Sequence, residues 1–84
     1  MKFKIYSAKK TNGDDVREPY VMDFDDLSDA VKHMIDNISI LSNWSVLRDA
    51  IGIIVYVPTG KIAAVVDFNS REVSYPSSWD WRED

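Results

Sequence analysis

The densest group of chemically reactive side chains is the run of residues 23–29, which reads Asp-Phe-Asp-Asp-Leu-Ser-Asp. Clustered carboxylates bind divalent cations when several oxygens converge on one point. The run does not match the pattern of a calcium-binding loop that starts at Asp23. The sixth position of that loop is glycine and the twelfth is glutamate, whereas this sequence has Ser28 and Met34 there. We therefore predict no metal site here. Instead, these acids are expected to end a strand and to cap the helix that follows.

The single histidine, His33, is the other candidate for catalysis. Asp29 lies one helical turn before it and Asp36 nearly one turn after it, so a carboxylate could orient the imidazole, but no nucleophile accompanies them. Helical spacing puts His33 on the polar face, which favours a solvated side chain. The three glycines lack the spacing of a phosphate-binding loop. We predict no catalytic residue and no cofactor, and a small Asp/His hydrolase is the least favoured alternative.

Length and composition indicate one soluble domain that spans residues 1–84. A chain of 84 residues supports one hydrophobic core. The absence of cysteine excludes disulfides, zinc thiolates and a thiol nucleophile. The first residues alternate charged and apolar side chains, unlike a signal peptide, and no run approaches the roughly 18 apolar residues of a membrane span. We expect no membrane association and a cytoplasmic location, which is the host cytoplasm if a phage encodes the chain.

The net charge of -4 is unevenly distributed along the sequence. Residues 1–10 carry +4, residues 11–39 carry -6, residues 40–70 are neutral and residues 71–84 carry -2. An acidic middle and tail repel phosphate backbones, so direct nucleic-acid binding is not expected. The expected partner is a basic protein or a nucleoprotein complex.

Alternating apolar residues predict a strand at residues 2–10, with Phe3 and Ile5 on one face. Asn12-Gly13 favours a two-residue type I′ turn into a second strand. Pro19 removes an amide donor, which places this second strand at a sheet edge or puts a bulge in it. The turn predicts these facing pairs: Thr11 with Asp14, Lys10 with Asp15, Ile5 with Tyr20, Phe3 with Met22, and Lys2 with Asp23.

A helix is predicted over residues 26–41, because its apolar residues recur at spacings of three and four. Asp25 or Asp26 is the expected N-cap. Residues 53–57 and 61–68 predict a hairpin closed by Pro58-Thr59-Gly60. Residues 44–49 favour a strand that turns at residues 50–52, although their spacing also fits a short helix. The polar face of the long helix carries Asp29, Lys32, His33 and Asp36.

The element order predicts an α+β fold: an antiparallel sheet of about five strands, built as a hairpin, one amphipathic helix and a β-meander, with the helix on one face. The last hairpin is apolar on both sides, as in strands that are buried on both faces. One helix covers only one face, so the other needs the C-terminal tail, a second copy or a partner. The two apolar sides are Ile54, Tyr56, Ile62, Ala64, Val66 and Phe68, and Ile53, Val55, Val57, Ala63 and Val65.

Surface features therefore favour a non-catalytic protein-binding module. The expected function is that of a small acidic inhibitor or neutraliser of a nuclease or nucleic-acid-binding defence complex, in the style of anti-CRISPR and anti-restriction proteins. A toxin-immunity protein and a structural or regulatory homodimer joined through the apolar sheet face are the alternatives. Residues 70–84 form a partly ordered tail whose tryptophans either pack on the core or contact the partner. The predicted partner-binding residues are Asp14, Asp15, Asp25, Asp26, Asp29, Asp36, Trp79, Asp80, Trp81, Glu83 and Asp84.

Overall fold

A computed structural model describes residues 1–10, 15–38, 49–76 and 80–83, with the backbone alone at residues 15–17. It confirms the α+β fold. In the described part of the chain, five antiparallel strands form one sheet in the order β2-β1-β3-β4-β5, and one helix packs against β3 and β4. The elements are β1 (Lys2–Lys9), β2 (Asp15–Asp23), α1 (Leu27–Asp36), β3 (Ala50–Tyr56), β4 (Lys61–Asp67), β5 (Val73–Ser74) and a 3-10 helix (Asp80–Arg82).

The β1–β2 pairing follows the predicted register at one end and departs from it at the other. Lys2 faces Asp23, and the predicted pairs of Phe3 and Ile5 are also present. The predicted pairing of Lys10 with Asp15 is wrong, because Ala8 faces Asp15. The register shifts twice between these points, and each shift leaves an extra residue in β2. The Asn12-Gly13 turn and the pair of Thr11 with Asp14 lie outside the described residues.

Pro19 lies within the first of these two register shifts, between the pairs of Ile5 with Tyr20 and Ser7 with Arg17. β2 is also an edge strand of the sheet. Both predicted consequences of the missing amide donor are therefore confirmed. The bulges and the proline also make this edge a poor template for further strand pairing.

Asp26 is the N-cap of α1, as predicted. Its Oδ1 accepts hydrogen bonds from the Ser28 hydroxyl at 2.7 Å and from the Asp29 backbone N–H at 2.9 Å. These bonds, that from the Ser28 side chain first, lower the pKa of Asp26. The helix ends at Asp36, earlier than predicted, and Asn37 caps it by bonding to the His33 carbonyl.

Gly52 lies inside β3, directly beneath α1. A Cβ at this position would lie 2.2 Å from Met34 Sδ and 2.5 Å from Phe68 Cε1. The predicted turn at residues 50–52 is therefore wrong: Ala50 begins β3, and the glycine allows the helix to approach the sheet closely. The predicted strand at residues 44–49 lies outside the described residues except Asp49, which is in a 3-10 turn.

The β3–β4 hairpin forms as predicted, and Gly60 adopts the left-handed conformation at φ 71°. A register shift after Ile54 leaves Ala63 without a partner in β3. Ile62 consequently pairs with Val55 and shares its face, while Ala63 is fully buried. The predicted faces of Ile62 and Ala63 are therefore exchanged.

The hydrophobic core lies between the sheet and α1, and the C-terminal segment closes it on the same side. Trp81 is 6% exposed, and its ring centroid lies 5.0 Å from that of Tyr56 and 5.5 Å from that of Phe3. The Trp81 carbonyl accepts a hydrogen bond from the Thr59 hydroxyl. Among the described residues, no helix is both long and apolar enough to cross a membrane.

Candidate protein-binding site

The connection from β2 into α1 gathers the acidic run on one surface. Asp25 and Asp26 occupy the bend between the two elements, and Asp29 lies in the first helical turn; all three are exposed. The capping geometry fixes this arrangement, because the Asp26 carboxylate binds the Asp29 amide. Asp36, also exposed, lies at the opposite end of the helix. We call the exposed acids of residues 23–36 the acidic layer.

An open depression of about 330 Å³ lies at the start of α1, lined by Met1, Asp23, Phe24, Asp25 and Asp29. Two hydrogen bonds of 2.8 Å fix its floor: the Met1 ammonium donates to the Phe24 carbonyl, and the Phe24 N–H donates to the Met1 carbonyl. Three carboxylates thus lie around the side chains of Met1 and Phe24 and the single positive charge of the Met1 ammonium. This combination suits a lysine or arginine side chain, whose stem is apolar and whose head is cationic.

The C-terminal segment lies beside this depression. Arg82 Nη2 is 3.7 Å from Met1 Sδ, and its guanidinium lies over the Trp81 ring. Asp80 and Glu83 are exposed in the same segment, so two further predicted binding residues join the same side of the molecule. The Glu83 carbonyl also accepts a hydrogen bond from Lys61.

The structure places the predicted site residues in different environments. Asp25, Asp26 and Asp29 come together, Asp80 and Glu83 are exposed on the C-terminal segment beside the depression, and Asp36 is exposed at the far end of α1. Trp81 packs in the core, which is the packing alternative of the sequence analysis. Asp14, Trp79, Asp84 and the side chain of Asp15 lie outside the described residues.

Asp23 and Phe24 line the depression, although sequence reasoning did not select them as binding residues. Both belong to the acidic run, but their pattern indicated only a strand end. What makes them part of the site is the contact with Met1, which lies beside them through the pairing of Lys2 with Asp23.

His33 is half-buried, so the prediction of a solvated side chain is wrong. Its Nε2 lies 2.8 Å from the Tyr20 hydroxyl, and the Asn37 side-chain amide lies 3.5 Å from Nδ1. The Phe24 ring packs against the imidazole with a centroid distance of 5.3 Å. These contacts join β2 to α1, and they give His33 a structural position.

No group of three or more His, Asp or Glu side chains that could hold a metal ion is present in the described part of the chain. Comparison with known proteins adds no functional information, since no protein-family model, curated protein or solved structure matches this chain. The acidic layer and its depression are therefore the features of this chain that bear on its function.

Proposed function

We propose that this chain is a non-catalytic protein-binding module that binds a basic protein through its acidic layer. The observation that carries the proposal is the depression at the start of α1, where the carboxylates of Asp23, Asp25 and Asp29 outnumber the single Met1 ammonium around the Met1 and Phe24 side chains. A partner's arginine or lysine could insert its stem over Phe24 and pair its charge with the carboxylates.

The charge distribution supports this proposal. Residues 23–36 contain Asp23, Asp25, Asp26, Asp29 and Asp36 against Lys32 alone, a net charge of -4. Such a patch steers a basic partner during encounter and discriminates against acidic ones, which affects the association rate most strongly. Hydrogen bonds to Asp26 lower the pKa of that carboxyl, so it stays ionised in neutral and mildly acidic solution.

A basic surface that binds nucleic acid is the partner chemistry that best matches this layer. We propose that the chain inhibits or neutralises a nuclease or a nucleic-acid-binding defence complex, in the style of anti-CRISPR and anti-restriction proteins. The acids would then occupy positive surface that otherwise binds phosphates. The spacing around Phe24 suggests capture of individual basic side chains instead of imitation of a whole duplex.

Calorimetric titration and gel filtration of the full chain against a panel of basic nucleases and an oligo-arginine peptide test the proposal. Binding should weaken as salt rises, and Asp25→Asn combined with Asp29→Asn should reduce the affinity at least tenfold, since two charge-assisted contacts are lost. Glu72→Gln is the matched control, because Glu72 is exposed outside the acidic layer. The proposal would be contradicted if the chain bound none of the probes, or if the control variant lost as much affinity as the double variant.

A further inference from the structure

The C-terminal segment, residues 80–83, holds an arginine beside the depression at the start of α1. Arg82 Nη2 lies 3.7 Å from Met1 Sδ, and Met1 is one of the residues that line the depression. The guanidinium of Arg82 therefore lies at the rim of a site that is proposed to bind the same kind of group from a partner.

Trp81 fixes the position of this segment on the fold. Its indole is 6% exposed, and its ring centroid lies 5.0 Å from that of Tyr56. Its carbonyl accepts a hydrogen bond of 2.5 Å from the Thr59 hydroxyl. Arg82 follows Trp81 directly in the sequence, so the backbone of Arg82 is anchored beside Met1.

The side chain of Arg82, in contrast, is held by weak contacts. It is exposed, and its guanidinium lies over the Trp81 ring, 5.0 Å from the centroid. A cation–π contact at an exposed site contributes little, and the thioether sulfur of Met1 is a weak acceptor. Within the described part of the chain, Arg82 forms no ion pair with a carboxylate. Its positive charge at the rim is therefore not neutralised by direct pairing.

A positive charge at this rim opposes the binding of a second positive charge in the depression. Like charges in solution repel over about one Debye length, which is about 10 Å at 0.1 M salt. Met1 contacts the guanidinium and also lines the depression, so a cation bound there lies within that range. Arg82 thus acts against the attraction that Asp23, Asp25 and Asp29 exert on a basic side chain.

We infer that Arg82 is an autoinhibitory group, which lowers the affinity of the acidic depression for the basic side chains of a partner. The inference rests on the proposed function, because it concerns the same site, and it adds a residue that sets the affinity of that site. Repulsion that weakens binding of the wrong partners raises specificity. Weakly basic surfaces are thereby rejected, and a partner must offer several basic side chains to bind.

Calorimetric titration of the full chain with an oligo-arginine peptide at about 0.1 M salt tests this inference. Arg82→Gln should raise the affinity roughly two- to threefold, the effect of removing one like charge at several ångströms in water. Arg82 is exposed, so the substitution should leave the midpoint of urea unfolding nearly unchanged. An unchanged or lower affinity of Arg82→Gln would overturn the inference.

Arg71→Gln is the matched control, because it removes the same charge from another exposed arginine. Arg71 lies on the β4–β5 turn, where its N–H donates to the carbonyl of Asp67 at the end of β4. The start of β4, at Lys61, is the end of the sheet nearer the depression, and six residues of strand span about 20 Å, beyond the Debye length. An equal gain in affinity in both variants would overturn the inference, since it would then reflect net charge alone.

A combined variant shows whether Arg82 acts on the depression itself. In the Asp25→Asn/Asp29→Asn background, Arg82→Gln should bring a smaller gain than in the wild type, because the cation no longer binds close to position 82. An undiminished gain in that background would overturn the inference.

The same titrations separate this inference from the proposed function. If the wild type binds oligo-arginine and loses affinity in Asp25→Asn/Asp29→Asn, but Arg82→Gln has no effect, the autoinhibitory role alone falls. If the wild type binds neither oligo-arginine nor any basic nuclease, both fall.

Discussion

Tyr20 and His33 form a hydrogen bond of 2.8 Å between the phenol oxygen and Nε2, which joins the edge strand β2 to α1. The two rings meet edge to face. On the other side of the ring, the Asn37 side-chain amide lies 3.5 Å from Nδ1 and donates to the His33 carbonyl at 2.7 Å. The bond therefore fastens β2 to the helix that carries the acidic layer.

Tyr20→Phe should lower the free energy of unfolding by about 0.5–1.5 kcal/mol, the usual effect of losing one hydrogen bond from a half-buried pair. Urea denaturation measures this as a lower midpoint with an unchanged m value. Tyr75→Phe is the control, since that ring is 51% exposed. Equal stability of Tyr20→Phe and the wild type would show that the bond contributes nothing to the attachment of β2.

Gly52→Ala should destabilise the fold by about 1–3 kcal/mol, because the added methyl collides with Met34 and Phe68. The double variant Gly52→Ala/Met34→Ala should lose less free energy of unfolding than the sum of the losses in the two single variants. The reason is that the new methyl partly fills the space that Met34 leaves. Thermal unfolding of the four proteins gives the coupling energy. An additive result would contradict direct contact between the helix and β3 at this position.

The cross-strand pattern predicted the β1–β2 register only as far as Pro19. Within this stretch, Phe3 and Ile5 face the apolar Met22 and Tyr20, and Lys2 faces Asp23, so one register satisfies these three pairs. Beyond that point the two bulges add residues to β2 without disturbing the apolar pattern of β1. Simple counting back from the Asn12-Gly13 turn therefore could not locate them.

Gly52 and His33 were misinterpreted for a different reason. A glycine between two apolar runs is typical of a turn, but here its role depends on Met34, which is 18 residues earlier in the chain. His33 lies on the polar side of its helix, but Tyr20 of the preceding strand reaches over it. Both are tertiary contacts, and local periodicity carries no information about them.

The candidate site, like the fold, could be predicted from the sequence only in part. The capping role of Asp26 was predictable, because an acid before an apolar repeat suffices to indicate it. The depression was not, since it requires Met1 beside Phe24, and only the pairing of β1 with β2 brings them together. Composition thus predicted an acidic surface but not its shape.

Asp67 should make stability depend on pH in the acidic range. Its Oδ2 accepts a bond of 2.5 Å from Lys10, and its Oδ1 accepts from the Asn69 and Ser70 amides. The Lys10 bond, with the turn amides, lowers the pKa of Asp67 below the ordinary 3.8. The unfolded state consequently binds a proton first, so this contribution is present above pH 3.8 and is lost as pH falls through the folded pKa.

Asp67→Asn should flatten this part of the pH profile and lower stability at neutral pH by no more than about 1 kcal/mol, since the pair is partly exposed. Urea denaturation at several pH values below 5 provides the measurement, and Glu72→Gln serves as the control for general charge effects. An unchanged profile in Asp67→Asn would mean that another carboxyl controls acid unfolding.

Trp81 should contribute strongly to stability although it lies close to the C-terminus. Trp81→Ala removes a ring that packs on Phe3 and Tyr56, and a loss of about 3–5 kcal/mol is typical of such a truncation. Trp81→Phe should restore much of this loss, because an aromatic ring still fills the space. Chemical denaturation measures both variants, and limited proteolysis should cut residues 76–84 faster in Trp81→Ala. If Trp81→Ala instead unfolds at the same denaturant concentration as the wild type and is cleaved at the same rate, the segment detaches freely. Asp80 and Glu83 would then not be held beside the acidic layer.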